Sequence, residues 1–346
     1  MPQGWVLPRR AHRSAPATPV NTKSFDRLAL FRPRRPPPAV GAASDDPAQR
    51  SGRRERPRRR LRRYPSRVTS RPVFVNQALS ARLEATEAAQ IEALAREVAT
   101  RVPARRAAVA AIAGGRAAFV APHARLSRAV GLGLSGPVEA RDVEALEDFY
   151  ASRGTAARIL VSPFAHPSLL ARLGERGFRL DSLDTVLVRH LAPAVEAHAP
   201  EPAAHSGVVV RRAAREEASA WVAASLSAFA TPDEPPSDRA DIFEAGFHVP
   251  GAAYFLASSI AGPVAGVGAV YVHERVALLF AGGTLAAHRG RGVQRALIDA
   301  RLPYARDAGC DLAYSVAEAG STSQRNLERA GLVAIYSQAM LIKSFA

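Results

Sequence analysis

The sequence predicts an α/β protein in which one fold occurs twice in tandem, and three observations predict this. Apolar runs of strand length alternate along the chain with segments whose apolar residues recur at helical spacing. The pattern of residues 73–191 (the first copy) recurs in residues 207–346 (the second copy). Nearly all of the excess positive charge lies in residues 1–72, so the remaining chain has the nearly neutral balance of a folded protein.

The first 72 residues form a tail rich in Arg, Pro, Ser and Ala. They hold 19 Arg or Lys and 4 Asp or Glu, whereas residues 73–346 hold 28 and 27. Because the tail lacks the apolar periodicity needed to bury a core, we predict that it is disordered. The tail contains few aromatic residues and no recognisable nucleic-acid-binding motif. We therefore expect no nucleic-acid partner, unless the charge of the tail alone binds one.

The composition argues against several other classes of protein. The sequence has no apolar run of about eighteen residues for a membrane span, and the tail lacks the apolar core of a secretory signal. We therefore expect a cytoplasmic protein with no membrane partner. Cys310 is the only cysteine, which excludes an internal disulfide, and the histidines show no metal-ligand spacing. We expect no metal.

The two copies align when Gly177 is placed on Gly331, an offset of 154 residues. Both then read helix, hairpin, strand, turn, helix, strand, helix and terminal strands, with Gly114-Gly115 and Gly262-Pro263 at the hairpin turns. An Ala- and Pro-rich stretch, residues 192–206, is the predicted linker. In the second copy we predict strands at 208–211, 253–259, 264–272, 276–285, 312–316 and 334–342, and helices at 215–229, 238–247, 292–307 and 321–329.

A basic, glycine-containing bend, His288-Arg289-Gly290-Arg291-Gly292-Val293, joins a predicted strand to a predicted helix. A helix start presents unpaired N–H groups and partial positive charge, which together favour phosphate. Gly290 and Gly292 lack the Cβ atoms that would keep a diphosphate at a distance, and Arg289 and Arg291 add counter-charge. The bend therefore predicts a site for an anionic cofactor.

Residues 289–298, Arg-Gly-Arg-Gly-Val-Gln-Arg-Ala-Leu-Ile, resemble the acyl-CoA-binding motif of the GNAT superfamily of N-acetyltransferases, Arg/Gln-x-x-Gly-x-Gly/Ala. Gln294 departs from the small residue at the end of that motif. Residues 320–332 look like the second motif of the family, a helix ending in Gly-Leu that flanks the pantetheine arm. The two motifs together cover about the last 140 residues, in the order of the family.

The resemblance implies two tandem GNAT-like domains, each a mixed, mostly antiparallel sheet flanked by helices. It implies acetyl-CoA as co-substrate and, as partner, a small-molecule or peptide amine that attacks the thioester directly. In the family, the strand before the glycine bend splays from its neighbour and offers N–H groups to the thioester. The expected cofactor-binding residues are Gly282, Thr284, Leu285, Arg289, Gly290, Arg291, Gly292, Val293, Gln294, Ser323 and Asn326.

The first copy differs where the cofactor would bind. It places Leu134-Ser135-Gly136-Pro137-Val138 against the basic bend of the second copy. Pro137 has no N–H to offer and both arginines are absent, so this turn is a poor phosphate site. We predict a degenerate GNAT-like domain in residues 73–191, which braces the catalytic domain in residues 207–346 or forms one wall of the acceptor groove.

Catalysis requires a base, because an amine attacks only when neutral and a lysine-like amine is mostly protonated at pH 7. Glu318 is the candidate that we favour, with Glu274 or His273 as alternatives. Many family members carry a general-acid Tyr four residues before the glycine of the second motif, but this chain has Leu327 there. Tyr336 is the proposed substitute, with Tyr314 as the alternative.

The acceptor itself is not defined by the sequence, although Phe229, Phe243, Phe247 and Tyr254 are candidates to line its pocket, and Asp233 and Glu234 would attract a cation. Two other functions stay open. The chain is a non-catalytic, CoA-binding regulatory protein if the missing Tyr at position 327 abolishes turnover. It is a nucleic-acid-associated protein if it acts through the basic tail. The sequence gives no oligomeric state.

Overall fold

The computed structural model describes residues 73–122, 124–191, 207–230, 237–260 and 262–345, and these all lie within one unit of the chain, Tyr64–Ala346. The predicted disordered tail, the predicted linker and the acidic pair Asp233-Glu234 lie outside the described residues.

The described part of the chain contains helices and strands in two successive sets. The helices are α1 (Gln77–Arg101), α2 (Ala140–Ala151), α3 (Pro167–Glu175), α4 (Ala218–Ala228), α5 (Ser237–Gly246), α6 (Val293–Asp307) and α7 (Thr322–Arg329). The strands are β1 (Ala108–Ile112), β2 (Gly115–Phe119), β3 (Arg128–Val130), β4 (Ala157–Val161), β5 (Arg179–His190), β6 (Val208–Arg212), β7 (Ala252–Ser259), β8 (Val264–His273), β9 (Val276–Thr284), β10 (Leu312–Glu318) and β11 (Val333–Lys343). The elements predicted in the second copy are all present, with ends that differ by at most three residues.

The predicted order of elements recurs in the two copies. A helix, α3 or α7, precedes the terminal strand in each copy, and the glycine that follows that helix, Gly177 or Gly331, has a left-handed backbone with φ of 78° or 86°. Glycine is favoured at this position because a helix commonly ends with one left-handed residue. These two glycines are the pair on which the sequence alignment rests.

The eleven strands in the described residues form one mixed sheet in the order β1-β2-β3-β4-β11-β5-β10-β9-β8-β7-β6. Only β3 with β4 and β9 with β10 are parallel, and the other neighbours are antiparallel. The predicted fold class, a mixed and mostly antiparallel sheet flanked by helices, is therefore confirmed.

The terminal strands of the two copies are exchanged. Strand β5 of the first copy pairs along β10 of the second, from Leu312 opposite His190 to Glu318 opposite Asp184. Strand β11 of the second copy pairs along β4 of the first, and β5 and β11 also pair with each other. The sequence predicts two domains, each with a sheet of its own, so the two-domain layout is only partly confirmed. The exchange has no signature in the periodicity of either strand.

Helix α1 of the first copy packs on strands of the second copy. Leu83 and Ile91 of α1 lie in one apolar cluster with Leu278 of β9 and Tyr314 of β10. The Tyr314 hydroxyl donates to the Leu83 carbonyl at 3.0 Å. Burial of each large apolar side chain in this cluster contributes about 1.5–3 kcal/mol to the stability of the fold. The opposite face of the same strands is covered by α6 and α7. The second copy therefore has α1 of the first copy together with its own α5 on one face, and its own α6 and α7 on the other.

Candidate functional site

The sheet opens between β9 and β10. Their parallel pairing spans only Leu312 opposite Val276 through Tyr314 opposite Leu278, although both strands continue beyond these pairs. Just past the last pair, the Ser315 hydroxyl donates to the Leu279 carbonyl at 2.8 Å. Beyond that bond the two strands diverge, as the resemblance implies, and leave an opening that connects the two faces of the sheet.

A β-bulge lies in β9 beside this opening. The pairing between β8 and β9 skips from Val267 opposite Gly283 to Ala269 opposite Phe280, so that Ala281 and Gly282 together oppose one residue, Gly268. Ala281 has a left-handed backbone with φ of 49°, which is uncommon outside glycine. Bulges of this kind change the direction of backbone groups and interrupt the ladder. The bulge thus frees backbone groups at the edge of the opening.

The guanidinium of Arg301 supports the bulge from α6. Its Nη1 donates to the carbonyls of Ala269 at 3.1 Å and Phe280 at 3.0 Å, and its Nε donates to a carbonyl within its own helix. A Cβ atom at Gly268 or Gly282 would lie 3.1 or 3.3 Å from the guanidinium, so glycine at both positions leaves room for it. Burial lowers the pKa of Arg301 to about 10, which still leaves it charged at neutral pH.

The basic bend lies on the surface with its amides open. Gly290 and Gly292 are exposed and left-handed, with φ of 75° and 79°, and a Cβ atom at Gly290 would meet nothing within 4 Å. The Arg289 amide donates to Ala286 at 3.3 Å. Within the described ranges, no acceptor is bonded to the amides of residues 290–295, and no side chain caps α6. The bend has the unpaired donors that an anion requires.

Two of the predicted cofactor-binding side chains on the bend are exposed and one is buried. Arg289 and Arg291 are exposed, and neither forms an ion pair with another residue that the structure describes. Val293 is 2% exposed and packs in the apolar core under α6. Only the backbone of Val293 is therefore available to a ligand, whereas both arginines can move toward an anion at the bend.

The corresponding bend of the first copy has its amides occupied. The Val138 amide donates to the Ser168 hydroxyl at 2.7 Å, and the Glu139 amide donates to the Asp142 carboxylate at 2.8 Å. Pro137 has no N–H. Because the two amides just before α2 are bonded to side chains of α3 and α2, this bend offers an anion fewer free donors than the basic bend of the second copy.

Gln294, Ser323 and Asn326 lie together where α6 meets α7. The side-chain nitrogen of Gln294 donates to the Ser323 hydroxyl at 3.2 Å. The side-chain oxygen of Gln294 accepts from the side-chain nitrogen of Asn326 at 2.5 Å. The residue that departs from the family motif thus bridges the two helices that the motifs predict. The side chain of Gln294 is thus hydrogen-bonded to α7, while its backbone N–H, at the start of α6, is bonded to no acceptor in the described residues.

A cavity of about 620 Å³ extends through the opening in the sheet. On the α6 side it is lined by Gln294, Ile298, Ser323 and Leu327. On the opposite side its lining comes from both copies and includes Glu87, Gln90, Arg125, Arg128, Asp184, Trp221, Ser225, Phe229, Arg239, Phe243, Tyr254 and Gln338. Phe280, Ala281, Gly282, Arg301 and Glu318 lie along it as well. The bulge and the candidate base therefore face one continuous space.

Several predicted site residues lie elsewhere. Of the three residues expected to offer N–H groups to the thioester, Gly282 lines the cavity, but Thr284 and Leu285 do not. The Leu285 amide donates to the Ala265 carbonyl at 3.0 Å, and Thr284 lies opposite Gly266 in the sheet. The prediction for Leu285 is corrected, because the ladder between β8 and β9 resumes after the bulge and uses its amide.

Neither tyrosine suggested as general acid lines the cavity. The Tyr336 hydroxyl lies 3.4 Å from a Glu84 carboxyl oxygen, and burial raises its pKa. The Tyr314 hydroxyl is bonded to Leu83 in the core. Glu274, an alternative base, lies in the turn before β9, away from the cavity lining. Leu327, which replaces the family tyrosine, lines the cavity with an apolar side chain that is 3% exposed.

Two carboxylates of the first copy line the cavity, although the sequence patterns did not indicate them as site residues. Glu87 of α1 forms an ion pair with Arg128 at 2.7 Å, and burial raises the pKa of Glu87 while Arg128 opposes that rise. Asp184 of β5 lies opposite Glu318 of β10, and burial raises its pKa too. A carboxylate on the apolar face of α1 is the one signal in the sequence that could have indicated this site.

The predicted aromatic wall is largely present. Phe229, Phe243 and Tyr254 line the cavity, and Phe247 stacks on Tyr254 with ring centroids 4.5 Å apart without lining it. The Tyr254 hydroxyl donates to the Gly246 carbonyl. These side chains place an apolar, well-packed surface at the end of α4 and along α5.

The described part of the chain shows no group of three or more His, Cys, Asp or Glu placed to hold a metal ion. Its helices include none that is both long and apolar enough to cross a bilayer.

No family model matches the sequence, and no curated protein matches it. Solved structures do match. A GCN5-related N-acetyltransferase from Kribbella flavida superposes with a TM-score of 0.53 at 20% identity, over 78% of this chain and 96% of that chain. A tandem GNAT protein from the clavulanic acid biosynthesis pathway matches with a TM-score of 0.45 at 16% identity, over 66% of this chain and 78% of that chain. The similarity to the Kribbella flavida protein confirms the resemblance at the level of the fold: this chain has the fold of the GCN5-related N-acetyltransferases.

Proposed function

We propose that the protein is an N-acetyltransferase that transfers the acetyl group of acetyl-CoA to a primary amine of a small molecule or peptide by direct attack. One observation carries the proposal: unpaired amides at an exposed, glycine-containing helix start lie beside an opening in the sheet that leads into a cavity. The fold alone would not carry it, because one fold hosts many functions.

The residues of the bend fit the diphosphate of CoA. The amides of residues 290–294 would hold it at the positive end of α6, and Arg289 and Arg291 would supply counter-charge. Gln294, Ser323 and Asn326 would contact the pantetheine arm from between α6 and α7. Acetyl-CoA would supply an activated acetyl thioester at the opening between β9 and β10.

The remaining groups at the opening would supply two things that amine attack requires, donors for the acyl oxygen and a base. The amine nitrogen forms a bond to the acyl carbon, the carbon–sulfur bond breaks, and the thiolate takes up a proton. The bulge at Ala281 and Gly282 interrupts the ladder, and in this proposal the backbone N–H groups there would donate to the acyl oxygen as it gains negative charge. Glu318, which lines the cavity, is the candidate to take the proton of the amine, directly or through water. The acid that protonates the thiolate is left unassigned, because neither Tyr336 nor Tyr314 lines the cavity.

The acceptor would enter from the face that α1, α4 and α5 cover. That face combines the aromatic wall of the second copy with carboxylates and arginines of the first. The first copy therefore contributes walls of the acceptor site in this proposal, and its own capped bend carries no second cofactor.

The test is a thiol-release screen of the full chain with acetyl-CoA over amino acids, polyamines, aminoglycosides and peptide N-termini. We expect release above the no-amine background with at least one class of amine, together with a mass increase of one acetyl group on that amine. Acetyl-CoA binding without release on any amine would favour the non-catalytic alternative. A result in which acetyl-CoA does not bind and no thiol is released would contradict the proposal as a whole.

A further inference from the structure

A carboxylate of the first copy lies next to the candidate base of the second. Strand β5 places Asp184 directly opposite Glu318 of β10, and on its other side Asp184 lies opposite Gln338, which is neutral. Directly opposite residues of an antiparallel pair share one face of the sheet, with Cβ atoms about 4.5–5.5 Å apart. Both acidic residues line the cavity. The exchange of terminal strands therefore brings two carboxylates, one from each copy, to one wall of the cavity.

This wall belongs to the acceptor side of the sheet. Val186 of β5 and Tyr314 of β10 pack in the apolar cluster that includes α1. Because side chains alternate along a strand, Asp184 and Glu318 lie on that same face. Glu318 and Gly282 are equally many residues beyond the last pair between β10 and β9, and both line the cavity. The two carboxylates are thus level with the bulge, across the opening in the sheet.

Neither carboxylate has a partner of its own. Among the residues that the structure describes, the side chains of Asp184 and Glu318 form no hydrogen bond and no ion pair. Glu318 is exposed and Asp184 is half-buried, so both stay accessible from the cavity. Arg128 is already paired with Glu87 of α1 at 2.7 Å, and Arg125 is exposed to solvent. A ligand can therefore reach both carboxylates without breaking a contact.

The charges that surround Asp184 leave it short of positive partners. Burial raises the pKa of Asp184, and two arginines, Arg125 and Arg128, oppose that rise. Glu318 and Asp181 add to it. Like charges at directly opposite positions of a strand pair are unfavourable. A cation between the two carboxylates would relieve their repulsion, and an amine near neutral pH is such a cation.

We infer that the protonated amine of the acceptor binds between Asp184 and Glu318, so that the first copy supplies a residue that contacts the substrate. The inference rests on the proposed function, which places the acyl group at the opening beside Gly282. Phe229 and Phe243 line the same cavity, so the rest of the acceptor contacts apolar surface.

The pair of carboxylates also gives the protons of the reaction a destination. The bound ammonium loses one proton to the pair, and that proton leaves to solvent because Glu318 is exposed. The neutral nitrogen then forms its bond to the acyl carbon and loses a second proton as the carbon–sulfur bond breaks. The thiolate takes up this second proton. The products are the acetylated amine, the free thiol of CoA and one proton in solution.

Replacing Asp184 tests the contact. Asp184→Asn keeps the size of the side chain and removes its charge. With the full chain, acetyl-CoA and the amine of highest kcat/KM in the screen, KM for the amine should rise about tenfold while KM for acetyl-CoA is unchanged. Asp184→Glu keeps the charge and should restore part of the affinity. Asp148→Asn, the same change at an exposed position of α2 away from the cavity, is the matched control. An unchanged KM for the amine in Asp184→Asn would overturn the inference.

The pH profile of kcat/KM for the amine separates contact with the substrate from a structural role. In the native chain both carboxylates must be ionised to hold the ammonium. Asp184→Asn leaves one carboxylate, which no longer lies opposite a second negative charge, so the acid limb of the profile should move to lower pH. An acid limb that stays in place, with activity lowered equally at every pH, would show that Asp184 only supports the fold.

Calorimetric titration of the full chain loaded with CoA distinguishes this inference from the proposed function. Phenethylamine, 3-methylbutylamine and 1,5-diaminopentane are compared with 2-phenylethanol, 3-methylbutan-1-ol and 1,5-pentanediol, which have similar shapes and no charge. We expect at least one amine to bind about tenfold or more tightly than its alcohol, and to lose that advantage in Asp184→Asn. This result supports the ammonium site even if no acetyl group is transferred. Acetyl transfer without any preference for the amines in binding would support the proposed function and overturn the inference, as would a preference that Asp184→Asn leaves intact.

Discussion

The Arg301 guanidinium donates from Nη1 to the Phe280 carbonyl at 3.0 Å, and thereby joins α6 to the bulge in β9. The same nitrogen donates to the Ala269 carbonyl across the bulge. The helix that begins at the basic bend is thus bonded, about two turns further on, to the backbone that faces the cavity. The proposed diphosphate site and the proposed acyl site share one rigid element.

Replacing Arg301 tests that relationship. Arg301→Met removes the donors from two carbonyls of the sheet, so we expect the free energy of unfolding to fall by about 2 kcal/mol. The bulge should lose its fixed direction, so kcat should fall about tenfold or more while KM for acetyl-CoA changes little. Urea unfolding and steady-state kinetics measure both. A raised KM for acetyl-CoA with unchanged kcat would show that Arg301 acts on the cofactor site rather than on the bulge.

Glu84 predicts a pH dependence of stability. Burial raises its pKa to about 8 from 4.5, and one of its carboxyl oxygens has no partner among the described residues. The folded state therefore keeps a proton between about pH 4.5 and 8 that the unfolded state releases. Stability is full below the unfolded pKa and is lost as pH rises through the folded pKa, by at most ~1.4 kcal/mol per pH unit.

Chemical unfolding from pH 5 to 8 checks this dependence. Glu84→Gln cannot ionise, so we expect a shallower loss of stability with rising pH than in the native chain. Some slope should persist, because burial also raises the pKa of Glu87 and Asp184. Glu216→Gln, at an exposed position, is the control and should leave the slope unchanged. Parallel slopes for Glu84→Gln and the native chain would contradict the assignment.

The exchange of terminal strands predicts that the two copies unfold together. Leu341 of β11 belongs to the second copy by sequence, but it packs in the core under α2 and α3 of the first. Leu341→Ala should therefore cost about 2–5 kcal/mol and lower hydrogen-exchange protection in α2, some 190 residues earlier in the chain. Val333→Ala, at the exposed start of the same strand, serves as control. Loss of protection confined to the second copy would mean that the strands are not exchanged in solution.

Much of the fold could be predicted from the sequence because its determinants are local. Apolar periodicity gave the elements of the second copy, and the glycines at 177 and 331 gave the alignment of the copies, since a helix end favours a left-handed residue. The pairing of β5 with β10 and of β11 with β4 could not be predicted. Strand partners are set by tertiary packing, and either terminal strand has the same alternation in either place.

Part of the candidate site could also be predicted from the sequence, and part could not. The open amides of the bend follow from Gly290 and Gly292, whose effect on the backbone is local. The Leu285 amide was misassigned because the bulge at Ala281 shifts the register of every later residue in β9. Glu87 and Asp184 reach the cavity only through α1 and the exchanged β5, so no reading of the second copy alone could have included them.

Titration of the full chain with acetyl-CoA in a calorimeter, with Gly290→Val and Gly309→Val beside the native chain, tests the central claim most directly. Gly290 and Gly309 are both left-handed, with φ of 75° and 81°, and neither has a neighbour within 4 Å of an added Cβ, so the two variants carry the same backbone strain. We predict that the native chain and Gly309→Val each bind one equivalent of acetyl-CoA. Gly290→Val should bind acetyl-CoA about a hundredfold more weakly. The two variants should show the same change in melting temperature. Unchanged affinity in Gly290→Val would contradict the account.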